Sequence, residues 1–225
     1  MALYVDSAYL KDVEEVCTGY PVAGVTTNPT ILLAAIERGQ RLNDVEVLRH
    51  LLDLCSGPVF MQPTAGDADG LRAAGLRYVE VDPARVVLKL PMSAVGMKAA
   101  MLLARENMRL SFTAVATVAQ AYCGMLAGAA WIIPYFGRLR RSGVDPCQVI
   151  TDMARVMSSQ TGAARILAAS VKSPGDVVEA SLAGAHDVAA PPEVIRALTE
   201  DALSEDAVAR FAADWVRVQA ALNLN

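Results

Sequence analysis

The sequence predicts a closed (β/α)8 barrel: a parallel eight-stranded sheet ringed by helices, with an extra helix at the C-terminal end. Three observations predict it. Short apolar runs alternate eight times with longer helix-patterned stretches, and such alternation implies a parallel sheet. The 225 residues match the length of one α/β barrel, and no segment has the composition of an interdomain linker, so 1–225 reads as one barrel domain. Hydrophobic residues make up 54% and charged residues 20%, which suits a large core and is too apolar for a disordered chain. An open doubly wound sheet is the alternative. Its dinucleotide-binding members carry GxGxxG after the first strand, whereas Asp6 and Ser7 follow that strand here.

The elements follow in order. Leu3–Val5 reads as the first strand and Leu10–Cys17 as a helix. Val22–Thr26 is the second strand, closed by Asn28-Pro29. Ile31–Cys55 is helical, with a polar interruption near Gly39–Asn43. Val59–Met61 is the third strand, and Asp67 or Asp69 caps a helix running to Tyr78. Val86–Leu90 is the fourth strand, apolar almost throughout, as a strand covered on both faces must be. Ala94–Asn107 is helical. Leu110–Val115 is the fifth strand, Thr117–Leu126 a helix ended at Gly128, and Trp131–Tyr135 the sixth strand. Asp145-Pro146 opens a helix to about Ser159, with proline at its first position. Ile166–Ser170 is the seventh strand. Ser173-Pro174 opens a helix ended by Gly184, and Val188–Ala190 is the short eighth strand. The C-terminal helix spans about 205–222. It places Phe211, Trp215, Val218 and Leu222 on one face, either against its own barrel or against a neighbouring subunit.

Composition excludes several functions. A net charge of −4, from 20 basic and 24 acidic residues, argues against a nucleic-acid partner. Cys17, Cys55, Cys123 and Cys147 form no CxxC pair, and His50 and His186 are the only histidines, so no metal site is expected. The cysteines read as reduced thiols of a cytoplasmic protein. The N-terminus, with Asp6, Lys11 and Asp12, does not read as a signal peptide. Leu110–Gly137 lacks charge and precedes Arg138, Arg140 and Arg141, but its hydroxyls, Gln120 and Pro134 divide it into strand, helix and strand rather than a membrane span.

Catalytic groups of such barrels stand at the C-terminal ends of strands. The polar residues expected there are Asp6; Thr26, Thr27 and Asn28; Gln62; Lys89; Thr113; Tyr135; and Ser170 with Lys172. Lys89 is the most informative, because it interrupts the apolar run Val86-Val87-Leu88-Lys89-Leu90-Pro91. Desolvation disfavours a charged ammonium there, and a neutral amine attacks carbonyls to form a Schiff base. A lysine reaching out to solvent is the alternative reading. Asp6 serves either as a proton carrier beside an imine or as a helix cap, and Asn28 either as a site residue or as a turn residue.

These motifs resemble the transaldolase family, in particular its small fructose-6-phosphate aldolase-like members. The resemblance rests on Leu3-Tyr4-Val5-Asp6, Gly24-Val25-Thr26-Thr27-Asn28-Pro29-Thr30, Val87-Leu88-Lys89-Leu90-Pro91, Thr113-Ala114-Val115, Pro134-Tyr135-Phe136-Gly137-Arg138 and Leu167-Ala168-Ala169-Ser170-Val171-Lys172. It implies that Lys89 is the Schiff-base lysine, Asp6 the acid/base and Asn28 a substrate ligand. Thr26 and Thr27 belong to the same substrate-binding run. Arg138, Ser170 and Lys172 would hold a phosphate. Gln62, Thr113 and Tyr135 would hold a water near the imine, as in the aldolase-type members, where transaldolases tend to have Glu and Phe. Reversible cleavage of a ketose phosphate to dihydroxyacetone and an aldehyde phosphate is therefore expected, with dihydroxyacetone transfer between sugar phosphates the alternative. A barrel that has lost catalysis and acts as a binding protein is a third reading. No cofactor is needed, and the resemblance implies a ring of identical subunits. Pro63, Phe112 and Ile133 depart from the aldolase pattern and predict a shifted Gln62 and a narrowed donor pocket. Val95, where an acidic residue is frequent, is a further departure.

Overall fold

The computed structural model describes residues 1–158 and 164–222. Eight parallel strands close into a barrel in sequence order: β1 (Ala2–Asp6), β2 (Val22–Thr26), β3 (Val59–Met61), β4 (Val86–Pro91), β5 (Leu110–Val115), β6 (Trp131–Pro134), β7 (Arg165–Ala168) and β8 (Asp187–Ala190), with β8 pairing back onto β1. The helices between them are α1 (Leu10–Gly19), α2 (Pro29–Glu37), α3 (Asp44–Leu54), α4 (Ala68–Val79), α5 (Ala94–Leu103), α6 (Val118–Leu126), α7 (Phe136–Arg141), α8 (Pro146–Ser158), α9 (Pro174–Leu182) and α10 (Pro192–Ala197). A last helix, α11 (Ala202–Leu222), follows the barrel.

Local chemistry sets the boundaries. The predicted long helix after β2 is two helices, because Gly39 adopts φ 92° and Asn43 starts α3 with a reciprocal cap to Glu46. Asp67 caps α4 by accepting from the Gly70 amide at 2.7 Å. The stretch after β4 ends as a helix at Leu103 and continues as one 3-10 turn to Glu106, where Asn107 takes φ 55°. Tyr135 and Ser170, read as strand residues, lie just past the ends of β6 and β7. Tyr135 keeps one bridge to Ala169, and Ser170 turns to φ 64°. Helix α7 leaves no periodic signal in the sequence, because six residues are too short a pattern to show one. Ser159, the expected end of α8, lies outside the described residues.

Alternation divides each strand between two cores. Outward residues such as Val5, Val25, Leu88, Phe112 and Ile132 pack against the helices. Inward residues fill the barrel, where Tyr4, Phe60 and Trp131 stack edge to face with centroids 5.6 and 5.1 Å apart. Gly24 makes room for this layer, since a Cβ there would lie 2.8 Å from the Tyr4 ring. Below it, the fully buried Asp187 accepts from Trp131 Nε1 (3.3 Å), the Ala2 amide (3.0 Å) and the Arg165 guanidinium (2.6 Å). The N-terminal mouth is thus plugged by a satisfied charge. The polar residues at the opposite end are left as the lining of an open pocket. Among the described residues, no helix is long and apolar enough to cross a membrane.

Candidate active site

A cavity of about 470 Å³ opens at the C-terminal ends of the strands. It is lined by Asp6, Asn28, Gln62, Lys89, Thr113, Tyr135, Arg138, Ser170 and Lys172, so nine of the eleven predicted site residues share one pocket. Thr26 and Thr27 lie just beneath its surface and act on it indirectly. The Thr26 hydroxyl donates to Asp6 Oδ1, and the Thr27 carbonyl accepts from Lys89 Nζ at 3.1 Å. The Thr27 side chain turns away, donating to the Phe60 carbonyl at 2.8 Å.

Lys89 is an inward residue of β4 and is 1% exposed, which decides against the snorkelling alternative. Its stem runs through the barrel interior, and its Nζ emerges on the pocket floor. Asp6 is the matching inward residue of β1. It caps no helix: the N-cap position of α1 is Tyr9, and no side chain caps that helix. Burial pushes the Asp6 carboxyl above the ordinary carboxylate range, while the Lys89 charge and the Thr26 hydroxyl pull it back. A carboxyl so placed exchanges protons closer to neutral pH than a solvated one.

Asn28 caps α2 and also lines the cavity. Its Oδ1 accepts from the Ile31 amide at 3.0 Å and caps α2, leaving its amide NH2 as the donor toward the pocket. On the opposite wall, Thr113 donates to the Tyr135 hydroxyl at 2.9 Å. Thr113 is aimed by a bulge at Ala114, which adopts φ 60° and shifts the register against β6. At the rim, the Arg138 guanidinium carbon lies 4.7 Å over the Tyr135 ring. Arg138 and Lys172 are exposed, and no carboxylate pairs with either among the described residues. Two unpaired cations facing one cavity give its rim a positive potential.

The departures from the aldolase pattern do not crowd this cavity. Phe112 points outward, where Gly124 of α6 leaves space for its ring and for Ile132. Ile133 is fully buried in the inner layer and is not among the pocket-lining residues, so the narrowing predicted there does not occur. Val95 packs on the outer core, and Gln62, followed by the buried Pro63, still lines the pocket. Two polar or strained residues near the site went unread in the sequence: Ala114 and Asp176. Ser173 and Asp176 form an Ser-x-x-Asp cap signal for α9, which hides the second role of the aspartate.

Comparison with known proteins agrees with this geometry. Residues 3–222 match the family model described as transaldolase/fructose-6-phosphate aldolase. A probable transaldolase of Symbiobacterium thermophilum is 34% identical over 215 residues, covering 96% of this chain and 97% of the relative. Probable transaldolases of Brevibacillus brevis (33% over 219 residues) and Thermus thermophilus (31% over 223 residues) are each covered to 100%, with 97% of this chain. Among solved structures, inosine 5'-monophosphate dehydrogenase from Legionella pneumophila superposes with a TM-score of 0.57 at 18% identity, over 85% of this chain and 58% of that one. A mandelate oxidase mutant gives 0.59 at 14%, over 86% and 65%. These two similarities speak to the barrel alone. The matching family model and the full-length relatives lead to one conclusion: the chain belongs to the transaldolase/fructose-6-phosphate aldolase family.

Proposed function

We propose that this enzyme forms a Schiff base through Lys89 and transfers a dihydroxyacetone unit between sugar phosphates. The observation that carries the reading is a buried lysine amine on the floor of a polar pocket beside Asp6. The full-length relatives named as probable transaldolases favour transfer over simple cleavage.

The free Lys89 amine attacks the C2 ketone of a ketose, and loss of water leaves an iminium. Asp6 or Tyr135, directly or through a water, takes the proton of the C4 hydroxyl. The C3–C4 bond breaks, its electron pair moves into the iminium to give an enamine, and the aldehyde leaves. The Asn28 amide and the Gln62 side chain face the donor hydroxyls. Arg138 and Lys172, with Ser170, take the phosphate of the aldehyde. The enamine then adds to a second aldehyde, and hydrolysis frees the product ketose from Lys89. Phosphorylated substrates and free cysteines suit a cytoplasmic setting.

A second reading is supported by the Thr113–Tyr135 pair and Gln62, which together suit a bound water next to the imine. Such a water would protonate and hydrolyse the enamine, giving an aldolase that releases dihydroxyacetone. Incubation with fructose 6-phosphate separates the two. Transfer requires an added aldehyde acceptor such as erythrose 4-phosphate, whereas an aldolase liberates dihydroxyacetone without one. Borohydride trapping with dihydroxyacetone or with fructose 6-phosphate should place the adduct on Lys89; no adduct with either would sink both readings.

We also propose that the chain assembles with copies of itself through α11. No residue of this helix is buried, and Phe211, Trp215 and Leu222 are 70%, 57% and 62% exposed. An apolar stripe of that size left in water calls for a partner surface.

A further inference from the structure

Helix α7, which carries Arg138, is docked on the end of β7 by its own backbone. The Phe136 amide donates to the Ala169 carbonyl at 2.8 Å and the Gly137 amide to the Ser170 carbonyl at 3.2 Å. Only glycine permits this approach, since a Cβ at Gly137 would stand 2.3 Å from the Ser170 oxygen. On the other side of the same junction lies Asp176, whose side chain is 7% exposed. One of its oxygens pairs with Arg140 of α7, and the other accepts from the Lys172 amide at 2.7 Å. Arg140 is held further by Glu179 and stacks 4.8 Å over Phe136.

A buried carboxylate is costly unless its oxygens are paired, and here both are. Its two partners belong to the two segments that bear the unpaired cations of the pocket rim. Arg140 lies two residues from Arg138, and the bonded amide is that of Lys172 itself. We propose that Asp176 is a positioning residue for substrate recognition: it fixes the spacing between Arg138 and Lys172, so that the two present a preformed site to the phosphate of the aldehyde. Preorganised cations pay no ordering cost when the anion arrives, whereas two freely moving side chains do. The proposal rests on the reading of Arg138 and Lys172 as the phosphate site.

Steady-state kinetics with unphosphorylated dihydroxyacetone as the donor, and glyceraldehyde 3-phosphate or unphosphorylated glyceraldehyde as the acceptor, test it. In Asp176→Asn, KM for the phosphorylated aldehyde should rise about tenfold, with kcat and the KM for glyceraldehyde close to unchanged. Arg140→Gln should reproduce this, and the double variant should be no worse than either single one. If Asp176→Asn does not fold, Arg140→Gln carries the same readout. Equal losses on both aldehydes would reduce Asp176 to a structural role and overturn the proposal, as would unchanged kinetics in a folded variant. Arg138→Ala separates the two layers. If it does not discriminate between the aldehydes, the phosphate-site reading itself has failed. If Arg138→Ala discriminates and Asp176→Asn does not, only the role of Asp176 falls.

Discussion

The Thr26 hydroxyl donates a 2.6 Å hydrogen bond to Asp6 Oδ1, joining β2 to β1 at the pocket floor. Burial raises the Asp6 carboxyl above its ordinary range, and this bond opposes the rise. Thr26→Val should therefore raise it further. The acidic limb of the pH–rate profile then moves to higher pH, and activity near neutrality drops by roughly tenfold, the worth of a hydrogen bond to a charged group. Thr26→Ser should restore the profile. An unmoved limb in Thr26→Val would mean that Asp6 does not set it.

Lys89→Met replaces a buried amine with an apolar chain of similar volume. Turnover should fall by about 1,000-fold or more, and borohydride trapping should disappear. Stability should be unchanged or raised, because a desolvated polar terminus has been removed from the interior. Urea unfolding followed by circular dichroism checks this second half.

Ala114 holds φ 60° at the bulge that aims Thr113 at the Tyr135 hydroxyl. A β-branched side chain is strained there, so Ala114→Val should cost about 1–2 kcal/mol in urea melts and lower kcat through displaced Thr113. Ala114→Gly relieves the φ strain and should leave stability equal or slightly higher, the gain being offset by the greater freedom of glycine in the unfolded chain.

Phe211→Glu with Trp215→Glu places two charges on the exposed apolar stripe of α11. Light scattering should show a multimeric wild type and a smaller variant with an intact far-ultraviolet spectrum. A wild type with the mass of a single chain would exclude assembly through this helix.

The fold was legible because its signals are local and periodic. Strands covered on both faces read as apolar runs, and Asp67, Ser173 and Gly184 punctuate the helices by turn chemistry that needs no distant partner. Lys89 was legible for the opposite reason: it breaks the apolar run of its strand. The motif order around it carried the family resemblance.

Residue order alone was enough to read the barrel, its eight strands, the lysine and the ring of polar residues at the strand ends. Tertiary structure decided which way those residues face and what they touch. Closure of the barrel put Asp6 and Lys89, 83 positions apart, in one pocket. It sent Phe112 outward against Gly124 and kept Ile133 in the inner layer, clear of the cavity. It also joined Asp176 to Arg140 and Lys172, and left α11 without a surface to cover it. Such contacts depend on how distant strands and loops meet once the chain has closed on itself, and no periodicity along the chain records that meeting.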